Sequence, residues 1–239
     1  EDGRELAGIP DNQVRLSACA EHADDIIDDL AQALAQVQLP NSLFALILSR
    51  IDALSENEKI VLKVASVIGR IFRASWVPAT YPDTGELMQV LHQLNRLESL
   101  EFTPLSADQP EIEYLFKHAL TQEVSYESIT YNLRQQLHER VGEYIERNYD
   151  HDIDSFVFLL AYHYGSSTNV DKQREFFTLA ADSARDKFLN DIALNYYERL
   201  LPLVEGVTAS RIHYELGNIR KHTGMWTEAK TAFERSLEL

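Results

Sequence analysis

The sequence predicts a mainly α-helical fold: a winged-helix domain with a small β-hairpin wing, followed by a superhelix of tetratricopeptide-like helix pairs. Three observations predict it. Glycine and proline are sparse, at 9 and 7 among 239 residues, which favours helices over a turn-rich β architecture. Beyond residue 40, apolar stripes of helical period follow one another, and only 100–105 and 112–116 read as strands. Ala193, Tyr197 and Leu201 then recur 36 residues later as Ala229, Phe233 and Leu237, a period typical of stacked helix pairs.

Residues 1–39 read as a linker and an acidic helix. Gly3-Arg4-Glu5-Leu6-Ala7-Gly8 has the glycine spacing of a phosphate loop. Ile9-Pro10 stands where lysine and a hydroxyl would meet phosphate and Mg²⁺, so the stretch is a polar loop. Over 21–38, Ile26, Ile27, Leu30, Leu34 and Val37 share one side, and Glu21, Asp24, Asp25, Asp28 and Asp29 form a solvated face. Those carboxylates lack the glycine-turn loop of a calcium hand.

Residues 40–130 form the winged-helix unit. Asn41 or Ser42 caps a helix to about Leu54, with Leu43, Leu46, Ile47 and Ile51 inward. Ser55-Glu56-Asn57-Glu58 is a capping box ahead of Ile60, Val61, Val64 and Ile68, and Gly69 is the expected left-handed stop. A helical turn at 75–80 and the Tyr81–Gly85 turn precede a helix carrying Leu87, Val90, Leu91, Leu94 and Leu97. Strands at 100–105 and 112–116 complete the wing. DNA is an unlikely partner for this unit. Its recognition-position helix carries Arg96 but also Glu86 and Glu98, and the wing holds Asp108, Glu111 and Glu113. A helix reading bases brings several cationic or amide side chains.

Residues 131–239 read as a truncated array of repeats. The helix over 131–148 carries Leu133, Leu137, Val141, Tyr144 and Ile145, and helices at 155–164, 171–188 and 191–201 follow. Leu216, Gly217, Gly224, Ala229 and Phe233 have tetratricopeptide spacing: small residues let two helices approach and the aromatic fills the groove. His213 and Arg220 replace the usual aromatics. Such pairs bury their apolar faces by stacking, so further repeats are expected beyond Leu239. A start at Glu1 without methionine, and an end inside a helical pattern, read as cuts in a longer protein.

The formal net charge of −16 argues against broad contact with nucleic acid or anionic membranes. The apolar runs 43–48 and 156–164 are too short to span a bilayer, and no signal peptide opens the chain. One cysteine, Cys19, forms no internal disulfide, and a reducing cytoplasm is the expected compartment.

No catalytic constellation is found. His138-Glu139 begins like a zinc-protease helix, but Gly142 stands where the second imidazole belongs. His22, His92, His151, His163 and His222 occur singly, in packing or surface positions, and no metal site is expected. Phe116-Lys117-His118-Ala119-Leu120-Thr121-Gln122-Glu123-Val124-Ser125-Tyr126-Glu127-Ser128 joins the second wing strand to the helical run. This stretch resembles the signature that follows the nucleotide-binding module in signal-transduction ATPases with numerous domains, the STAND class. The likeness extends upstream through 39–43, 49–54 and 65–72, covers about residues 39–148, and is architectural beyond them.

The resemblance implies a regulatory, non-enzymatic arm of an ATPase linked to an adenylate or guanylate cyclase, a kinase or a transcription regulator. It implies no cofactor in this segment, ATP or ADP with Mg²⁺ in the parent, and as partners the ATPase core of the same chain and a protein on the repeats. His118 then matches a histidine that reaches the phosphates of ADP; an imidazole N–H suits that task. The other reading is a histidine that braces the junction. Phe116, Glu123 and Tyr126 are its structural members. The alternative function is a stand-alone protein-interaction scaffold or an arm of a transcription regulator.

Overall fold

The computed structural model describes residues 41–239. The readings of the glycine loop, Cys19, the acidic helix 21–38, His22 and Leu39-Pro40 lie outside the described residues. The chain divides into two compact units, 1–46 and 47–239. Described residues of the first belong to the opening of helix α1 (Asn41–Asp52). Leu43 and Leu46, expected inward, are exposed; the buried stripe begins at Ile47 and continues through Ile51 and Leu54.

In the second unit, α2 (Glu56–Ile68) starts on the expected capping box. Ser55 N–H donates to Glu58 Oε2 at 2.8 Å, and Glu58 N–H donates back to Ser55 Oγ at 3.4 Å. Gly69 ends the helix at φ 155° and ψ 178°, a positive-φ conformation that suits glycine but lies outside the left-handed helical region expected. It leads into a strand absent from the sequence reading, β1 (Ile71–Arg73). Helix α3 (Trp76–Thr80), a 3₁₀ turn at Pro82–Thr84 and α4 (Leu87–Ser99) follow.

The strand expected at 100–105 is displaced. Glu101 takes a left-handed conformation, φ 62°. Its N–H donates to the Glu98 carbonyl and that of Phe102 to the Leu97 carbonyl. This Schellman motif spends residues 100–102 on ending α4, so β2 spans only Leu105–Ala107. β3 (Glu113–Leu115) falls where a strand was expected. The antiparallel sheet has the order β1-β3-β2, with Phe72 opposite Tyr114 and Leu105 opposite the same residue. Val61, Leu62 and Ala65 of α2, Val90, Leu94 and Leu97 of α4, and the rings of Phe72, Tyr114 and Phe116 build a core. Truncating any of these leucines to alanine costs about 2–5 kcal/mol.

Helices α5 (Ala119–Glu127), α6 (Tyr131–Asn148), α7 (Ile153–Gly165), α8 (Val170–Asp186), α9 (Asn190–Leu200), α10 (Gly206–His222) and α11 (Trp226–Glu238) complete the described chain. Small residues set the spacing of the long helices. A Cβ on Gly142 of α6 would stand 2.6 Å from the Tyr164 ring of α7. One on Gly217 of α10 would stand 2.6 Å from the Phe233 ring of α11. Between α8 and α9 the same place is held by buried Ala181 and Ala193 beside buried Tyr197, whose hydroxyl donates to Asp182 at 2.6 Å. The described chain is therefore mainly helical with one small antiparallel sheet, and none of its helices is long and apolar enough to cross a membrane.

Candidate functional site

The junction between β3 and α5 holds all four sequence-predicted site residues. Phe116 is fully buried, its ring 5.8 Å from that of Phe72, and its N–H donates to the Arg70 carbonyl at 2.8 Å. Lys117 N–H donates to the Phe102 carbonyl at 3.0 Å, so the chain is held on both sides as it leaves the sheet.

His118 is the N-cap residue of α5, extended at φ −125° and ψ 132°. Its carbonyl accepts from Thr121 and Gln122 N–H groups, while its exposed ring makes no capping bond. The fold uses the backbone of His118 and leaves the imidazole in solvent, at the positive end of a helix. Glu101, Lys117 and Arg50 share its surroundings. Lys117 pairs with Glu101 at 3.0 Å and, with further help from Arg50 and His118, holds that carboxyl below its usual range. Arg50 donates to the Leu100 carbonyl at 3.0 Å with its guanidinium 4.8 Å from the Phe102 ring. In a chain of net charge −16 this is a local basic cluster, and the sequence hid it because Arg50 lies far from Lys117 in the chain.

Glu123 and Tyr126 separate. Glu123 is exposed and forms no ion pair among the described residues. Tyr126 turns inward, and its hydroxyl lies 3.0 Å from His138 Nε2 on α6. His138 Nδ1 in turn lies 2.9 Å from His163 Nδ1 on α7. Both imidazoles are fully buried, and the edges of Tyr126 and Tyr162 close on His138. The sequence reading treated these histidines singly; 25 residues separate them, and no local spacing announces the contact.

Two nitrogens 2.9 Å apart share one proton, so one ring donates and the other accepts. With the tyrosine O–H donating to Nε2, His138 donates from Nδ1 and the outer proton of His163 sits on Nε2. That atom has no well-aligned hydrogen-bond partner, although the Ile68 backbone at the end of α2 weakly favours a proton on this ring. Burial pushes His138 down to about 4, with Arg134 adding to the effect. Burial pushes His163 down to about 3, with His138 adding to it. The pair is neutral near pH 7, and no carboxylate among the described residues acts on either ring.

Among the described residues no group of three histidine, cysteine or carboxylate side chains is placed to hold a metal ion. His92, His151 and His222 are exposed. An apolar groove of about 240 Å³ lies between α2 and α6, lined by Ile60, Val64, Ile129, Leu133 and Leu137 with Lys63 at its edge. Next to it, across Tyr81 and Leu133, Arg140 lies 5.7 Å from the Tyr81 ring. No protein-family profile, curated protein or solved structure gives a significant match to this chain.

Proposed function

We propose that this chain is a non-catalytic regulatory arm of a multidomain signalling ATPase of the STAND class. In this reading the arm couples nucleotide state to an effector such as a nucleotidyl cyclase. The described elements up to α5 act as a winged helix that packs on the ATPase core, and the paired helices after it act as a tetratricopeptide-like binding surface. The protein works in the cytoplasm, with ATP or ADP and Mg²⁺ held by the core.

The observation that carries the reading is the exposed ring of His118 at the start of α5, near Arg50 and a Lys117 that pairs with Glu101. An imidazole N–H at a helix N-terminus suits a phosphate oxygen, which would compete with Glu101 for Lys117. Nucleic acid fits less well, because Arg96 of α4 is drawn toward Glu58 at 3.5 Å and Glu98 accepts from Leu105 N–H. The matched spacing of Gly217 with Phe233 supports the repeat reading.

His118→Ala in the full-length protein tests the proposal. ADP carried through desalting is expected to fall, while the thermal midpoint of the 239-residue segment stays put, because an exposed ring contributes within about 0.5 kcal/mol. Unchanged retention of ADP leaves His118 as a junction residue and favours a protein-recruiting scaffold.

A further inference from the structure

The groove between α2 and α6 takes no part in the His118 junction, and the fold leaves its volume of about 240 Å³ open. Val64 of α2, Ile129 of the α5–α6 link and Leu137 of α6 are buried and form its floor. Half-buried Ile60 and Leu133 form its walls, so the surface offered is mainly aliphatic. Sites for drug-sized ligands run to roughly 300–1,000 Å³, so this one suits a short apolar chain.

Lys63, half-buried, is the one charged residue on the lining, and no carboxylate shares the lining with it. The acids on the elements around the groove are engaged or lie apart. Glu56 pairs with Lys59 at 2.9 Å and Glu127 with Arg134 at 2.8 Å. Glu123 is exposed on α5, outside the lining. Asp83, beyond Tyr81, acts on the Tyr81 hydroxyl, and Arg140 acts on the same group in the opposite sense. Thr130, which caps α6 without a side-chain bond, borders the same mouth and adds a hydroxyl. An aliphatic recess with a lone ammonium group at its edge selects an apolar body with an anionic head. The field of a chain of net charge −16 attracts cations, so a preference for an anion would have to come from Lys63.

We propose that the α2–α6 groove binds a medium-chain aliphatic monocarboxylate. Its chain lies on Val64, Ile129, Leu133 and Leu137, and its carboxylate meets the Lys63 ammonium group. An occupant braces α2 against α6. The proposal goes beyond the nucleotide-coupled reading and does not rest on it.

Calorimetric titration of octanoate into the whole chain tests it, with octanol and octylamine as partners of equal chain length. Octanoate is expected to bind and to raise the thermal midpoint, octanol to bind about tenfold more weakly, and octylamine not to bind. Lys63→Met keeps the apolar stem and removes the charge. It should weaken octanoate about tenfold or more and leave octanol unchanged, whereas Lys63→Arg should retain octanoate. Both variants should unfold at the temperature of the parent, which separates a lost contact from a lost fold. Absence of octanoate binding, equal binding of octanoate and octylamine, or octanoate binding indifferent to Lys63→Met overturns the proposal. Neither substitution should change ADP retention by the full-length protein, so the two readings fail independently.

Discussion

His118 and the His138–His163 pair show how differently one fold uses the same residue type. The first contributes its backbone to the N-terminus of α5, and its ring is exposed. The second two are buried with no acid beside them, and their depressed values tie stability to pH. A histidine whose folded value lies below its unfolded value, about 6.5, contributes stability that is complete above pH 6.5 and is lost as the pH falls toward the folded value. At pH 5 each ring resists a proton that the unfolded chain accepts, which costs about 2 kcal/mol per ring and about 4 kcal/mol for the pair. Chemical denaturation at pH 7.5, 6 and 5 should show that loss, and His138→Asn with His163→Asn should flatten it. A pH-independent midpoint in the parent sequence would exclude a neutral buried pair.

The elements owe their ends and spacing to a few backbone positions. Helix α8 stops on Phe188 and α4 on Glu101, both left-handed without being glycine, whereas α10 stops on Gly224 at φ 82°. Relief of that strain should make Phe188→Gly more stable by about 0.5–1 kcal/mol, measured by thermal unfolding. The interhelical glycines predict the opposite sign. Gly142→Ala drives a methyl into Tyr164, which is fully buried and tied through its hydroxyl to Glu146, and should cost about 2–3 kcal/mol. Gly217→Ala meets Phe233, which is only half-buried and can give way, so its cost should be smaller, about 1 kcal/mol.

Legibility follows the range of the interaction. The Ser55–Glu58 box and the stripes of α2, α4 and α6 were readable because both partners lie within one helical turn or one repeating period. Of the positions recurring after 36 residues, Ala193 and Ala229 are both buried, whereas Leu237 is exposed. β1 was not readable: three residues whose only partner is β3, some forty positions on, leave no periodic trace. The strand at 100–105 was misplaced because an acidic residue at 101 gives no sign of a left-handed turn. At the site, the apolar pattern placed 116–128 where a strand gives way to a helix, but the inward turn of Tyr126, the exposure of Glu123 and the approach of Arg50 depend on tertiary packing.

For the whole molecule, the charge distribution joins these local facts. Acids exceed bases by 16, and beside the exposed His118 ring Lys117 is paired with Glu101 while Arg50 lies over the Phe102 ring. Under the proposed reading, the exposed ring of His118 is where this segment would meet phosphate. Tyr126, His138 and His163 lie between α5, which His118 opens, and the paired helices, so a displacement of α5 would be felt in α6 and α7. The most direct measurement is calorimetric titration of ADP into the full-length protein and, separately, into this 239-residue segment. The account predicts tight binding by the first, weakened by His118→Ala, and none by the second. Binding by neither would contradict a nucleotide-coupled arm and leave a protein-recruiting scaffold in its place.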